Sequence, residues 1–282
     1  MTTQAFIFIA LCSATLLFVL GLLGLPWWVA RKRARVREHA FPAAWRKILQ
    51  RRVPLVRRLP VDLQLQLKKH IQVFIAEKAF IGCAGLRITD EMRVVIAAQA
   101  CLLLLNRPAD YYPQLRQILL YPGAFVVQRN STDGSGVQHT QRQALAGESW
   151  SQGQVVLSWQ DCLEGAAQAD DGRNVVIHEF AHQLDQESGP ANGAPLQAPG
   201  APNYSPQRWS QVFHASYAQL QHQARNGHEG LLDPYGAQDP AEFFAVASEV
   251  FFEQPNELAL EYPDLYRELA SFYRVDPAVW RC

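Results

Sequence analysis

The chain lacks paired cysteine. Its 282 residues hold five, Cys12, Cys83, Cys101, Cys162 and Cys282, and none of them forms a CxxC pair. That spacing excludes a thiolate zinc site and a redox dithiol. The thiols read as ordinary buried side chains in a reducing compartment. Net charge is also absent, because 26 Lys and Arg balance 26 Asp and Glu. Neutrality gives no electrostatic reason to expect direct nucleic-acid binding. There is no internal repeat. At 49% hydrophobic and 18% charged residues, the composition is not that of a disordered tail or a collagen-like array. The length suits one large domain with a real core, or two small ones.

Charge is missing locally too. Residues 1–30 contain no charged side chain. Residues 31–58 carry eleven Lys and Arg against one Glu, a net charge of +10, and residues 59–282 carry the compensating −10. The apolar run Ala5 to Ala30 ends in Pro26, Trp27 and Trp28 and is followed at once by Arg31, Lys32, Arg33, Arg35 and Arg37. As a helix at ~1.5 Å per residue it would outspan the ~30 Å apolar core of a bilayer. Met1 to Gln4 hold no basic residue, which disfavours a cleaved signal peptide. The expectation is one N-terminal transmembrane helix (1–30), a basic juxtamembrane segment (31–58) and a folded domain (59–282). In the juxtamembrane segment Trp45, Ile48, Leu49, Val53 and Leu55 alternate with arginine and lysine, as on an anionic leaflet surface. The positive-inside rule places the protein in a bacterial-type inner membrane as a single-pass chain, with its domain on the cytoplasmic face.

The folded part reads as α+β, mostly helical with a small sheet. Leu63, Leu67, Ile71, Phe74 and Ile75 show helical spacing over 61–79. Thr89, Asn174, Ser205 and Asp239 are N-cap candidates for helices to about Leu105, Gln186, Arg225 and Glu253. A last helix runs from Pro263 to about Tyr273. Ile118 to Val127 reads as strand, turn, strand, and Gln128 to Gly147 as polar and turn-rich. Gln154 to Trp159 is a short strand and a candidate sheet edge for an extended peptide.

One motif carries chemistry. His178-Glu179-Phe180-Ala181-His182 is an HExxH sequence inside an apolar helical pattern. Positions i and i+4 put both imidazoles on one helix face, where they can hold one Zn²⁺. Glu179 follows the first ligand and can take a proton from the activated water. A third ligand is needed. The short metzincin spacing fails, because Asp185 and Ser188 stand where it needs Gly and His. Asp185 shares the His178 face and suits a hydrogen bond to a ligand imidazole or to nearby backbone. Glu242 and Glu249 share a face of the helix that opens at Asp239-Pro240. Glu242 is the preferred ligand, although it also fits a capping box with Asp239. Glu249 is the preferred carboxylate behind a ligand. Tyr235, in Asp233-Pro234-Tyr235-Gly236, can donate to an oxyanion. His139, His214, His222 and His228 are reserve ligands.

With these residues assembled, the chain resembles the Mlc titration factor A family of zinc-dependent peptidases over roughly residues 60–277. The resemblance rests on Leu120-Tyr121-Pro122 with Phe125-Val126-Val127, on Gly147-Glu148-Ser149-Trp150, on Val156-Leu157-Ser158-Trp159 and on Ile177 to Asp185. It continues in Asp233 to Gly236, Asp239 to Val246, and Ser248-Glu249. It implies a zincin-like core, similar also to that of anthrax lethal factor. It implies one zinc held by His178, His182 and Glu242, with Glu179 as general base and Tyr235 as oxyanion donor. The implied partners are a peptide or protein substrate and a glucose-responsive transcription repressor. The expected function is a membrane-anchored zinc metallopeptidase. The alternative is a binding module that sequesters the repressor, with catalysis secondary.

Overall fold

The computed structural model describes the backbone of residues 3–108, 110–132, 138–145, 147–150, 153–196 and 205–280. It divides into two compact units, Met1–Ala40 and Phe41–Cys282.

The first unit is a single helix, α1 (Thr3–Glu38), with Pro26 inside it. Among the described residues no helix is long and apolar enough to cross a membrane. This corrects the expected N-terminal transmembrane helix. The single-pass inner-membrane localisation and the membrane partner through residues 5–30 fall with it. The physical reason is the mixed character of α1. Its described side chains set Gln4, Ser13 and Thr15 beside Leu11 and Val19. The same helix continues unbroken into the basic run, ending with Arg35 and Arg37 in its last turn.

The second unit begins with three helices, α2 (Ala43–Arg52), α3 (Leu55–Arg58) and α4 (Val61–Glu77). Leu49, Val53, Leu55 and Val56 are buried here, so the apolar residues of the basic segment face a protein core. Its cations find protein partners as well. Arg51 and Arg52 both pair with Glu91, and Trp45 Nε1 donates to Asp90 Oδ2 at 3.1 Å.

Next come β1 (Ala79–Gly82), α5 (Asp90–Leu102), β2 (Gln117–Tyr121), β3 (Phe125–Thr132), β4 (Gln138–Leu145), β5 (Gly147–Trp150) and β6 (Gln154–Ser158). The main sheet has the order β1-β2-β6-β5. β1, β2 and β6 are parallel, and β5 runs antiparallel to β6. β3 and β4 form a separate antiparallel pair, so the segment read as turn-rich holds two strands. β6 is therefore not an edge. Val155, Val156, Leu157 and Ser158 are all buried, as in a strand covered on both faces. β5 lies at the edge beside it.

The chain then turns wholly helical: α6 (Trp159–Ala167), α7 (Val175–Asp185), α8 (Pro206–Arg225), a 3₁₀ turn at Pro234–Ala237, α9 (Pro240–Glu253), α10 (Pro255–Glu261) and α11 (Pro263–Tyr273). α7 drives Phe180 into the core against Tyr112 and Phe74, at ring-centroid distances of 4.8 and 5.6 Å. α9 contributes Phe243, Phe244, Phe251 and Phe252, all buried. Phe244 packs on Phe272 at 5.6 Å and Phe243 on Phe213 at 5.6 Å. Burying such rings contributes roughly 1.5–3 kcal/mol each, and this clamps α7 and α9 against the same core.

Candidate metal centre

α7 starts cleanly because Asn174 caps it. The Asn174 side chain accepts from the amides of Val176 (3.1 Å) and Ile177 (3.0 Å). Before the cap, Gly172 takes φ +75°, and a Cβ there would lie 2.9 Å from Gln254 Oε1. Only glycine makes that approach without strain. α9 starts with the same chemistry. Asp239 Oδ1 accepts from Ala241 (2.8 Å) and Glu242 (3.0 Å). With its backbone amide satisfied by Asp239, Glu242 turns its side chain toward α7.

The three expected ligands meet there. His178 Nε2 lies 2.9 Å from Glu242 Oε2, His182 Nε2 lies 3.4 Å from the same oxygen, and the two Nε2 atoms are 3.2 Å apart. One ligand atom from each of His178, His182 and Glu242 falls within 4.8 Å of the others. His182 is buried, and His178 and Glu242 are nearly so. Two imidazole nitrogens and a carboxylate oxygen aimed at one point are a donor set that fits a divalent cation such as zinc.

The surroundings strengthen that fit. Glu249 Oε1 takes the other ring nitrogen of His178, Nδ1, at 2.8 Å. That bond places the proton of a neutral imidazole on Nδ1 and leaves the Nε2 lone pair facing Glu242 and His182. The second oxygen of Glu249 accepts the Asn174 amide. Burial lowers the His178 pKa, but the charge of Glu249 and the hydrogen bonds to Glu242 and Glu249 overcome it, so the ring is held well above its ordinary value. The pocket is built to concentrate negative charge around His178, which suits a cation.

Further along α9 a residue that the sequence did not single out completes the row. Glu253 is 2% exposed and accepts from Arg173 N (3.1 Å) and Asn174 Nδ2 (2.9 Å). Burial first, then the nearby charges of Asp171 and Glu249, push its pKa up to about 9 despite the Asn174 hydrogen bond. Its signal was present in the sequence as a third glutamate on the Glu242 face, eleven residues on.

The remaining candidates divide. Glu179 is buried beside its ligand neighbour at the centre of α7. Tyr235 sits in the 3₁₀ turn with its ring centroid 5.9 Å from that of His178, and it is 36% exposed. Asp185 is not one of the converging ligand residues. It is fully buried and accepts from the Asn192 and Gly193 amides at 2.7 Å each, with its pKa raised by burial. It thereby fastens the loop after α7. A Cβ at Gly193 would stand 2.4 Å from the Pro240 carbonyl oxygen, so this loop lies directly on the start of α9. His214, His222 and His228 are exposed on or after α8, away from the cluster. The side chain of His139 lies outside the described residues. Cys101 and Cys162 are buried, and burial pushes both thiols up.

Comparison with known proteins agrees with this geometry. The family model described as glucose-regulated metallo-peptidase M90 matches residues 27–274. An uncharacterized protein of Synechocystis sp. is 39% identical over 257 residues, covering 91% of this chain and 92% of the relative. Mlc titration factor A of Pectobacterium atrosepticum is 34% identical over 255 residues, covering 89% and 91%. Mlc titration factor A of Escherichia coli O1:K1 / APEC is 33% identical over 248 residues, covering 86% and 91%.

Proposed function

The chain belongs to the glucose-regulated metallo-peptidase M90 family, and from that premise we propose that it is a zinc-dependent peptidase working at His178, His182 and Glu242. The observation that carries the proposal is the convergence of those three ligand atoms within 4.8 Å. His178, His182 and Glu242 would hold the zinc, which would supply Lewis acidity toward the scissile carbonyl and acidify the attacking water. Glu179 accepts the proton of the attacking water and delivers it to the leaving amine. The Tyr235 phenol donates to the oxyanion that forms on the substrate. Glu249 keeps the His178 ring in the tautomer that ligates.

An extended peptide is the substrate shape this fold suits. β5 ends the sheet order and lies antiparallel to β6, so its outer backbone groups are the row a substrate strand would pair with. α7 packs against β5 and so carries the metal centre past that edge.

Glu179→Gln tests the mechanism. The amide cannot accept the proton, so turnover of a mixed peptide library should fall by about 10²–10⁴ while zinc per chain stays unchanged. Cleavage at the wild-type rate would sink the assignment of Glu179. The name of two of the relatives speaks for a second reading, in which the chain captures a regulator such as Mlc. Regulator capture that survives Glu179→Gln would separate that role from catalysis.

A further inference from the structure

The turn that carries Tyr235 is held differently along its length. Its second half is packed. A Cβ at Gly236 would meet Leu220 Cδ2 and Val246 Cβ at 3.2 Å, and Tyr217 donates its hydroxyl to the Ala237 carbonyl at 3.2 Å. Its first half begins at Asp233, whose Oδ1 accepts the Tyr235 amide at 2.9 Å. The other oxygen of that carboxylate, Oδ2, meets Arg173 Nη2 at 2.9 Å. Arg173 directly precedes the cap of α7. Its own amide is fixed by Asp171 Oδ1 at 2.9 Å and Glu253 Oε2 at 3.1 Å. The guanidinium thus reaches out from the same short segment that Glu249 and Glu253 clamp at the head of the ligand helix.

Resting on the peptidase reading above, we infer that Arg173 is a positioning residue for Tyr235. Its ion pair with Asp233 ties the tyrosine-bearing turn to the head of α7 and keeps the phenol beside His178. The pair has the properties of a latch. The Arg173 side chain is 75% exposed and that of Asp233 32%. An ion pair so wetted is weak and screened by salt, so it contributes little to global stability. What it can do is bias one turn between two positions. Tyr235 is part-exposed, and its backbone amide is bonded to the same Asp233 carboxylate that the guanidinium meets, so the aim of the ring follows the turn beneath it. The backbone end of the latch is rigid and the side-chain end is labile, which lets the turn admit substrate without disturbing the ligands.

The experiment uses the full zinc-loaded chain and Arg173→Ala, Arg173→Lys, Tyr235→Phe and the Arg173→Ala/Tyr235→Phe double variant. Backbone hydrogen exchange is read over residues 233–238 and 175–185. Arg173→Ala should speed exchange in the turn, leave α7 unchanged and leave zinc per chain unchanged. It should lower kcat by roughly fivefold, the factor for the upper end of an exposed ion pair, and Arg173→Lys should restore part of that. In the Tyr235→Phe background the same substitution should cost nothing further, because its effect runs through the phenol. Raising salt from about 0.01 to about 1 M, which shortens the screening length from ~30 to ~3 Å, should slow the wild type more than Arg173→Ala. Unchanged exchange over 233–238 overturns the inference, as does a loss that persists at full size in Tyr235→Phe. Faster exchange in a protein that cleaves no peptide supports the latch and overturns the peptidase reading instead.

Discussion

Glu242 and Glu253 stand eleven residues apart on one face of α9, and the two ends of that helix treat a carboxyl group in opposite ways. Glu253 is buried and Glu242 largely so, and burial alone would raise both pKa values. At the first end the hydrogen bonds and charges of His178 and His182 outweigh burial, and Glu242 is held well below the usual carboxylate range. At the other end Asp171 and Glu249 add like charge, and Glu253 rises to about 9. Burial sets the upward direction at Glu253 and like charge adds to it, whereas at Glu242 the two histidines reverse it. One end keeps a charged acid ready for a cation. The other keeps a neutral acid that can hold backbone without concentrating more charge behind the metal centre. Glu249 lies between them and serves both, with one oxygen on His178 and one on Asn174.

The comparison breaks most severely at the charged end. Glu242→Ala removes the proposed third ligand, and zinc per chain, measured by atomic emission after dialysis, should fall to near zero together with peptide cleavage. Retained zinc would move the third ligand elsewhere. The middle position should respond less. Glu249→Gln can keep one of its two hydrogen bonds but not both, so zinc affinity measured by chelator competition should weaken by about 10–100-fold, with the fold intact. Unaltered affinity would remove Glu249 from any role behind His178.

The neutral end should show itself in stability. Glu253 binds a proton in the folded chain that the unfolded chain releases above about 4.5. Its contribution is fully present below about pH 4.5 and is lost as pH rises toward about 9. The loss should approach ~1.4 kcal/mol per pH unit within that window. Glu253→Gln mimics the protonated acid and should flatten the wild-type decline in urea midpoint between pH 6 and pH 9. Equal slopes for the two proteins would mean that Glu253 ionises normally.

Much of this arrangement is legible in the sequence because it is local. The caps Thr89, Asn174, Ser205 and Asp239 all accept the amides expected of them, since capping needs only neighbouring residues. The HExxH spacing is likewise a property of one helix. The failures are of four physical kinds. The helix expected to end at about Glu253 does end there, but Pro255 then opens α10 as its first residue, a use proline permits and one that no periodicity announces. β3 announces itself only in its apolar start, Phe125 to Val127; its polar remainder and β4 carry no apolar alternation, so their mutual pairing reveals them. Strand order depends on partners far along the chain, which is why β6 passes for an edge. The front of the molecule shows a fourth kind. An uncharged run read against a bilayer and a basic run read against a lipid surface were treated as separate segments. α1 runs unbroken from the uncharged run into the first part of the basic run and ends at Glu38, and the apolar residues of the remainder, in and between α2 and α3, turn into the domain core. Glu253 and Arg173 belong to no recognisable spacing, because each acts on backbone or on a remote loop.

The fastening of α7 has a mechanical consequence. Its head is gripped through Arg173 and Asn174 by two acids of α9, and the loop leaving its tail is gripped by Asp185 and pressed on Pro240. A beam supported at both ends can neither pivot nor slide. The imidazoles it carries form a fixed anvil, and any accommodation of a bulky or awkward chain must come from the parts set around it.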